Sequence, residues 1–353
     1  MTDIDFPTLH GIGFKQYFLS QLSQLSQQSE GTATSPQQRL ARVTAVQRDW
    51  MTLDDGREAF SGRSARFVGA EPPVVGDWVL VRESRGEYWI EHTLEPTTRL
   101  SRRTPSGRQV LASNVDTALL LMGLDNDFNP RRMERYIALV RACEVAPVMV
   151  LTKSDIGADA EEKIAQLRQR IPEDVPALAL HPGEQSDAGV LAPWLGRGQT
   201  LVLLGSSGVG KSTLTNALTG SGQATGGTRV GDDRGRHTTT ARSLHRCPSG
   251  ACIIDTPGLR AWQPDADEGE LGLSFNDITA LAGECQFRDC AHESEPGCAV
   301  RGVVDADRLQ NYRKLLREAH RAERTALERI AERDRWKVLN KAARQRGREK
   351  RGG

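Results

Sequence analysis

Residues 205–212, Gly205-Ser206-Ser207-Gly208-Val209-Gly210-Lys211-Ser212, satisfy the pattern G-x-x-x-x-G-K-[ST]. They follow the apolar run Thr200–Leu204 and precede the helix-forming Leu214–Leu218. Glycine lets a backbone turn its N–H groups inward on phosphate oxygens without a Cβ in the way, and the helix that follows adds the positive end of its dipole. In such a loop Lys211 reaches the terminal phosphates and the Ser212 hydroxyl reaches Mg²⁺, with Thr213 beside it in the binding set. The competing reading is a chance glycine turn, which the flanking strand and helix argue against.

Two further motifs bear on which nucleotide is bound. Asp255-Thr256-Pro257-Gly258 follows the apolar run Ala251–Ile254, so the Asp255 carboxylate can hold the magnesium shell and the Gly258 N–H can sense a γ-phosphate. Thr152-Lys153-Ser154-Asp155 follows Val148–Leu151 and resembles the guanine-reading N-K-x-D motif. A carboxylate accepting two hydrogen bonds from the guanine N1 and N2 edge rejects adenine, which has no such pair of donors. The alternative is an ordinary helix cap, with Asp155 opening a helix over 156–170. Between the phosphate loop and Asp255, residues 220–235 contain six glycines, as suits a loop that orders on a triphosphate. That stretch ends in Arg236-His237-Thr238-Thr239-Thr240. Thr239, and next to it Thr238, supplies a hydroxyl for Mg²⁺ and the γ-phosphate. Leu259 stands where many GTPases carry a water-orienting glutamine, which makes His237 the nearest group able to position or deprotonate water. A solvated loop histidine is the plainer alternative.

The order of these motifs is itself informative. Ordinary GTPases run phosphate loop, switch threonine, D-x-x-G, then N-K-x-D. Here the guanine motif precedes the phosphate loop by about fifty residues. That is a circularly permuted order, which moves the chain ends and leaves different modules on either side.

Cys285-x4-Cys290-x-His292-x5-Cys298 brings three thiols and an imidazole into fourteen residues, a set that closes a tetrahedral Zn²⁺ site with no open position, hence a structural one. Unmodified reduced cysteines are the alternative. Cys247 and Cys252 flank Pro248-Ser249-Gly250 and read as facing hairpin positions, and Cys143 reads as a core residue of a helix.

The elements that must position these groups follow from hydrophobic patterning. Short β-like runs at Ala41–Val46, Trp50–Leu53, Asp77–Val81 and Tyr88–His92 predict a small barrel, an OB-fold being the expected kind. Arg99–Arg108 reads as a basic linker. Beyond it, strand-like Thr117–Met122, Ala146–Leu151, Ala177–Leu180 and Thr200–Leu204 alternate with helix-like Pro130–Cys143 and Asp159–Arg170, the signature of a parallel sheet with helices on its faces. Phe14, Phe18, Leu22 and Leu25 predict a short docking helix within a Ser- and Gln-rich N-terminus. Leu309, Tyr312, Leu316 and Ala319 predict one near the C-terminus.

The chain has 353 residues, 38% hydrophobic and 26% charged, which suits two or three globular domains and excludes collagen or wholesale disorder. No apolar run approaches the roughly 18 residues that span a bilayer, and no secretory signal is visible, so no membrane partner and a cytoplasmic location are expected. The formal net charge of +1 conceals a polarity: residues 308–353 carry sixteen of the 47 Lys and Arg but six of the 46 Asp and Glu, making them +10 and the remainder −9. A basic tail beside a metal module and a barrel points to phosphate backbones as ligands, although a solvated helix face is the usual meaning of such a run.

The barrel, T-K-S-D, G-S-S-G-V-G-K-S, R-H-T-T-T, D-T-P-G and C-x4-C-x-H-x5-C, in that order, resemble the RsgA (YjeQ/EngC) family of circularly permuted GTPases over residues 39–335. The resemblance implies a multidomain fold: an N-terminal OB-like β-barrel (39–100), a central α/β P-loop GTPase domain (110–275) and a C-terminal zinc-binding helical domain (276–335). A partly flexible N-terminal extension (1–38) and a basic tail (336–353) flank them. It further implies GTP hydrolysis in late maturation of the small ribosomal subunit, with rRNA bound through the barrel and zinc domains, stimulation by that subunit, and His237 as the hydrolytic residue. A monomer is expected, with GTP or GDP, Mg²⁺ and one Zn²⁺ as ligands. The family's motif normally has Asn at position 152, where it ties the guanine motif to the phosphate loop, so the expected effect of Thr152 falls on nucleotide affinity rather than on base choice. Two other readings are a GTPase acting on a different RNA particle, such as the large subunit, and an RNA-binding scaffold with a nucleotide-sensing site.

Overall fold

The computed structural model describes residues 5–28, 38–47, 50–64, 71–104, 107–153, 159–180, 189–220, 242–255 and 268–323. Strands β1 (Gln38–Val46), β2 (Met51–Asp54), β3 (Ala59–Ser64), β4 (Trp78–Ser84) and β5 (Glu87–Thr93) run in the order β1-β2-β3-β5-β4, and β4 returns to pair with β1. The result is a closed OB-like barrel, with β3 and β5 parallel and the other neighbours antiparallel. Alternation sends Ala41, Val43, Leu53, Val79, Val81 and Ile90 inward. Strand β3 was not expected, because one Gly and two Ser in six residues lower its β-propensity. Gly62 makes room there for Leu53: a Cβ would come within 2.4 Å of Leu53 Cδ1 and oblige that side chain to shift inside the barrel.

The stretch expected as a basic linker is structured. Its residues form β6 (Arg99–Thr104) and the start of β7 (Gly107–Ser113), paired antiparallel. The arginines mask the pattern, since Leu100 and Leu111 are buried while Arg102 Nε reaches across to Gln109 at 3.0 Å. The hairpin abuts the barrel, where the Ser113 N–H donates to the Val75 carbonyl and its hydroxyl to Asp77.

A second group of strands, β8 (Thr117–Gly123), β9 (Ala146–Thr152), β10 (Ala177–Ala179), β11 (Thr200–Gly205), β12 (Ser243–Arg246) and β13 (Cys252–Asp255), takes the order β10-β9-β8-β11-β13-β12. All neighbours are parallel except β12 and β13. Alternate residues of the central strands enter two separate cores, so these strands are buried on both faces and read as continuous apolar runs. One face is covered by α3 (Pro130–Ala142), which Asn129 caps by accepting from the Arg132 N–H at 3.0 Å. The other is covered by α5 (Lys211–Thr219). Helix α4 (Ala160–Arg168) lies between β9 and β10 in sequence.

The N-terminal segment belongs to the first of these cores. Helix α1 (Phe6–His10) is followed by α2 (Tyr17–Gln28), and Phe14 and Phe18 are fully buried, with Phe14 edge-on to Trp78 at 4.9 Å between ring centroids. Beneath them Arg42 is also fully buried, and its guanidinium donates to the carbonyls of Ile12 (2.5 Å), Gly76 (3.2 Å) and Asn114 (3.1 Å) and to Thr200 Oγ1 (2.9 Å). Four chain segments thus meet on one side chain, and these acceptors offset the cost of burying its charge.

At the C-terminal end, α6 (Glu268–Ser274), α7 (Asn276–Ala282) and α8 (Ala306–Glu323) pack around Leu271, Phe275, Ile278, Leu309, Tyr312, Leu315 and Ala319. They join α3 through Glu134, a buried carboxylate that accepts from Arg170 Nε (2.9 Å), Arg308 Nη1 (3.0 Å) and Asn311 Nδ2 (2.5 Å). The basic tail beyond Glu323 lies outside the described residues.

Candidate nucleotide and metal sites

The phosphate loop leaves the C-terminal end of β11, in the middle of the sheet, where ligands of open α/β sheets bind. Gly208 (φ +78°) and Gly210 (φ +106°) adopt the left-handed backbone that such a turn needs, and Gly210 is the N-cap of α5. A Cβ on Gly205 would approach the Leu121 carbonyl oxygen to 2.7 Å, so the strand-to-loop junction also demands glycine. Lys211 is largely buried and its Nζ donates to the carbonyls of Gly205 (2.9 Å) and Ser206 (2.6 Å), which holds the ammonium over the mouth of the loop. Ser206 Oγ, buried inside that mouth, has no hydrogen-bond partner among the described residues. Ser207 and Ser212 are exposed, Val209 is buried and Thr213 half-buried.

Asp255 ends β13 next to β11 and is 7% exposed. Burial pushes its carboxyl above the ordinary value, while the charges of Lys211 and His245 pull it down. Thr152 ends β9 and is fully buried. Its hydroxyl donates to the Val209 carbonyl at 2.9 Å, so the guanine motif and the phosphate loop are tied directly. The loss of this tie, expected from the absence of Asn, does not occur: the phosphate loop beyond β11 brings the Val209 carbonyl within reach of the short Thr152 hydroxyl. Lys153, with φ +61°, turns back to pair its Nζ with Asp125 at 2.8 Å, and that contact holds the Asp125 carboxyl below the ordinary range. Ser154, Asp155, His237, Thr238, Thr239 and Gly258 lie outside the described residues.

The second site lies between α7 and α8 in sequence. Ligand atoms of Cys285, Cys290, His292 and Cys298 all fall within 4.8 Å of one another, an arrangement that can hold a metal ion. His292 Nδ1 is 3.7 Å from Cys285 Sγ and 3.4 Å from Cys298 Sγ. Burial works against ionisation of Cys298, but the Arg301 backbone N–H and the His292 ring outweigh it and bring the thiol down to about 6.

The small ribosomal subunit biogenesis GTPase RsgA of Xanthomonas oryzae pv. oryzae is 41% identical to this chain over 359 residues, covering 97% of each. The chain belongs to the RsgA GTPase family. The corresponding protein of Xanthomonas axonopodis pv. citri is also 41% identical, over 96% of each chain, and the family model described as RsgA GTPase matches residues 93–265. A model described as 50S ribosome-binding GTPase matches residues 200–341. Among solved structures, YloQ, titled a circularly permuted GTPase, aligns with a TM-score of 0.58 at 24% identity, covering 83% of this chain and 99% of that one. YjeQ from Thermotoga maritima gives 0.61 at 24%, covering 82% and 100%. The RsgA fold, permuted order included, is therefore shared along almost their whole length.

Of the residues named from sequence, the RsgA fold brings the phosphate loop, Thr152 and Asp255 to one end of one sheet, and the Cys3His set to another place. One expectation here needs correction. Cys252 is in register with Arg246 while the Cys247 N–H bonds Ala251, so the two cysteines do not face each other; they enter opposite cores of the sheet. Asp125, the partner of Lys153, was missed, although an acid just beyond the C-terminal end of a strand beside the phosphate loop is a readable signal. Ser243 and His245 were also missed. They share a face of β12 with a hydrogen bond of 2.7 Å between them, and Ser243 is the cross-strand partner of Asp255.

Proposed function

We propose that this protein hydrolyses GTP to drive a late step in maturation of the small ribosomal subunit, that the subunit stimulates the reaction, and that it works in the cytoplasm as a monomer. The observation that carries this reading is the likeness, over 97% of the chain, to a relative named for small-subunit biogenesis. The phosphate loop and Asp255 are consistent with it.

In this reading Asp155, with Ser154, receives the guanine edge, and Lys153 and Thr152 support that loop from beneath. Backbone N–H groups of 206–213 cradle the phosphates, and Lys211 exchanges its loop carbonyls for phosphate oxygens. Ser212, Thr239 or Thr238, and Asp255 offer the hard oxygen donors that suit Mg²⁺, which when bound neutralises charge building on the β- and γ-oxygens. The Gly258 N–H senses the γ-phosphate. His237 orients the attacking water and accepts its proton.

The metal held by the Cys3His set is proposed to be one structural Zn²⁺. A tetrahedral ion with bonds of about 2.3 Å to sulfur and 2.05 Å to nitrogen sets S···N edges of about 3.6 Å. The S···N separations of 3.7 and 3.4 Å match that edge. The barrel (39–100), the zinc unit (276–335) and the tail (336–353) flank the GTPase unit (110–275) and supply the rRNA contacts, so affinity for RNA should fall steeply with salt.

The test is GTP hydrolysis with and without purified small subunits. A large stimulation supports the reading; none, with subunits shown to be bound, removes it. The match to the 50S ribosome-binding description favours a second reading, action on the large subunit. Co-sedimentation with each purified subunit separates the two.

A further inference from the structure

The barrel touches the GTPase sheet in two ways. At Arg42 the contact is fully buried and reaches Thr200, the first residue of β11, about 16 Å along that strand from Gly205. It holds the barrel at the end of the sheet away from the nucleotide. The other contact is strand β12. Ala45 of β1 pairs with Ser243, Ser243 pairs with Asp255 of β13, and Asp255 pairs with Leu203 of β11. One hydrogen-bonded row therefore runs from the barrel wall to the carboxylate of the nucleotide site and on to the strand that carries the phosphate loop. Thr239 stands only four residues before Ser243 in the chain.

Ala45 with Ser243 is the single register pair between barrel and sheet among the described residues, and one pair by itself is a loose hinge. What stiffens it is Arg246, at the far end of β12. Its Nε donates to Asp54 Oδ2 at 2.9 Å, its Nη2 donates to Asp54 Oδ1, and its Nη1 donates to the Gly56 carbonyl at 3.2 Å. Asp54 is the last residue of β2 and is 8% exposed, and it also accepts from the Gly56 N–H at 2.8 Å, so the fork grips a turn that is itself rigid. Arg246 is level with Cys252 and Thr200, the end of the sheet where Arg42 sits, so the two contacts together fix that end of β12 to the barrel while its other end, Ser243, lies against Asp255.

We propose that the Asp54–Arg246 contact is the link through which an RNA particle docked on the barrel acts on the nucleotide site. The proposal rests on the functional reading above for the identity of that particle. Among the described residues Arg246 bonds Asp54 and Gly56 and no residue of the phosphate loop, so its role is to couple, not to catalyse.

The experiment compares wild type, Arg246→Met and Arg246→Lys. It measures hydrolysis with and without small subunits, subunit affinity by sedimentation, and hydrogen exchange at residues 243–246 and 252–255 in the free protein. Met retains the apolar stem but no donor; Lys retains charge but no planar fork. Arg246→Met should keep the basal rate and subunit affinity, lose about 5- to 10-fold in stimulation, and exchange faster in β12. Arg246→Lys should fall between. Full stimulation in Arg246→Met overturns the proposal, and so does a loss that merely tracks subunit affinity. If wild type itself is not stimulated, the functional reading fails, and the exchange data decide alone: faster exchange in β12 keeps the link, unchanged protection refutes it.

Discussion

Replacing Thr152 by Val removes one hydroxyl and leaves the shape of the side chain almost intact. In the structure that hydroxyl is fully buried and donates to the Val209 carbonyl at 2.9 Å. A trans peptide is planar, so a Val209 carbonyl held toward Thr152 aims the Gly210 N–H the opposite way, into the phosphate loop. Losing the donor leaves a buried acceptor without it, at a cost of about 1–3 kcal/mol. Part of that cost falls on folding and part on nucleotide binding, because the peptide becomes free to turn away from the phosphates. If about 1–2 kcal/mol falls on binding, the Kd for GDP and for GTP should rise by about 5- to 30-fold, equally for both. The assay is titration of a fluorescent GDP and GTP analogue, with thermal unfolding of the free protein alongside. Thr152→Ser, which keeps the hydroxyl, should bind as wild type within about twofold, well inside the 1.4 kcal/mol that separates tenfold steps. Wild-type affinity and wild-type Tm in Thr152→Val together would refute the role assigned to this hydrogen bond.

Three further outcomes are expected. Burial raises the Asp255 carboxyl above 3.8, so its contribution to stability is present below that value and lost as pH rises through the raised one. Asp255→Asn should therefore raise the Tm of the nucleotide-free protein at neutral pH, with the gain shrinking in acid, while hydrolysis is abolished; equal Tm at both pH values would contradict the burial argument. Glu134→Ala removes the carboxylate shared by the nearly buried Arg170 and Arg308, which keep Asp307 and Asp277 respectively, and should cost about 1–3 kcal/mol in urea unfolding. Removing metal with a chelator, or Cys298→Ser, should unfold the C-terminal unit and lower its helix signal in circular dichroism, since the metal supplies folding energy to so small a segment. A C-terminal unit that stays folded after chelation would argue against a structural ion.

The site was legible in the chain wherever function demands a particular residue type at a particular spacing. Gly208 and Gly210 are glycines because their backbone is left-handed, Lys211 opens a helix and Asp255 ends a strand at the end of the sheet where such folds take ligands, and three cysteines with a histidine lie close enough to hold one ion. What was illegible was decided by partners distant in sequence. The β6–β7 hairpin is hidden behind arginines whose apolar neighbours, Leu100 and Leu111, are buried by the barrel and sheet. Strand β3 is held by closure of the barrel and not by its own propensity.

Thr152 shows the same division at one residue. From the sequence alone it is a departure from Asn, because a side chain's type is local. Whether its hydroxyl meets an acceptor depends on where β9 and the loop after β11 lie, Thr152 and Val209 being 57 positions apart in the chain. The sequence by itself determined the nucleotide chemistry, the permuted order and the metal set, since each is written in contiguous residues. Only the tertiary structure decided how these parts are joined: Arg42 holding four segments together, and Arg246 fastening the barrel to the strand beside Asp255. Those joints depend on the geometry of residues far apart in the chain, which no local pattern encodes.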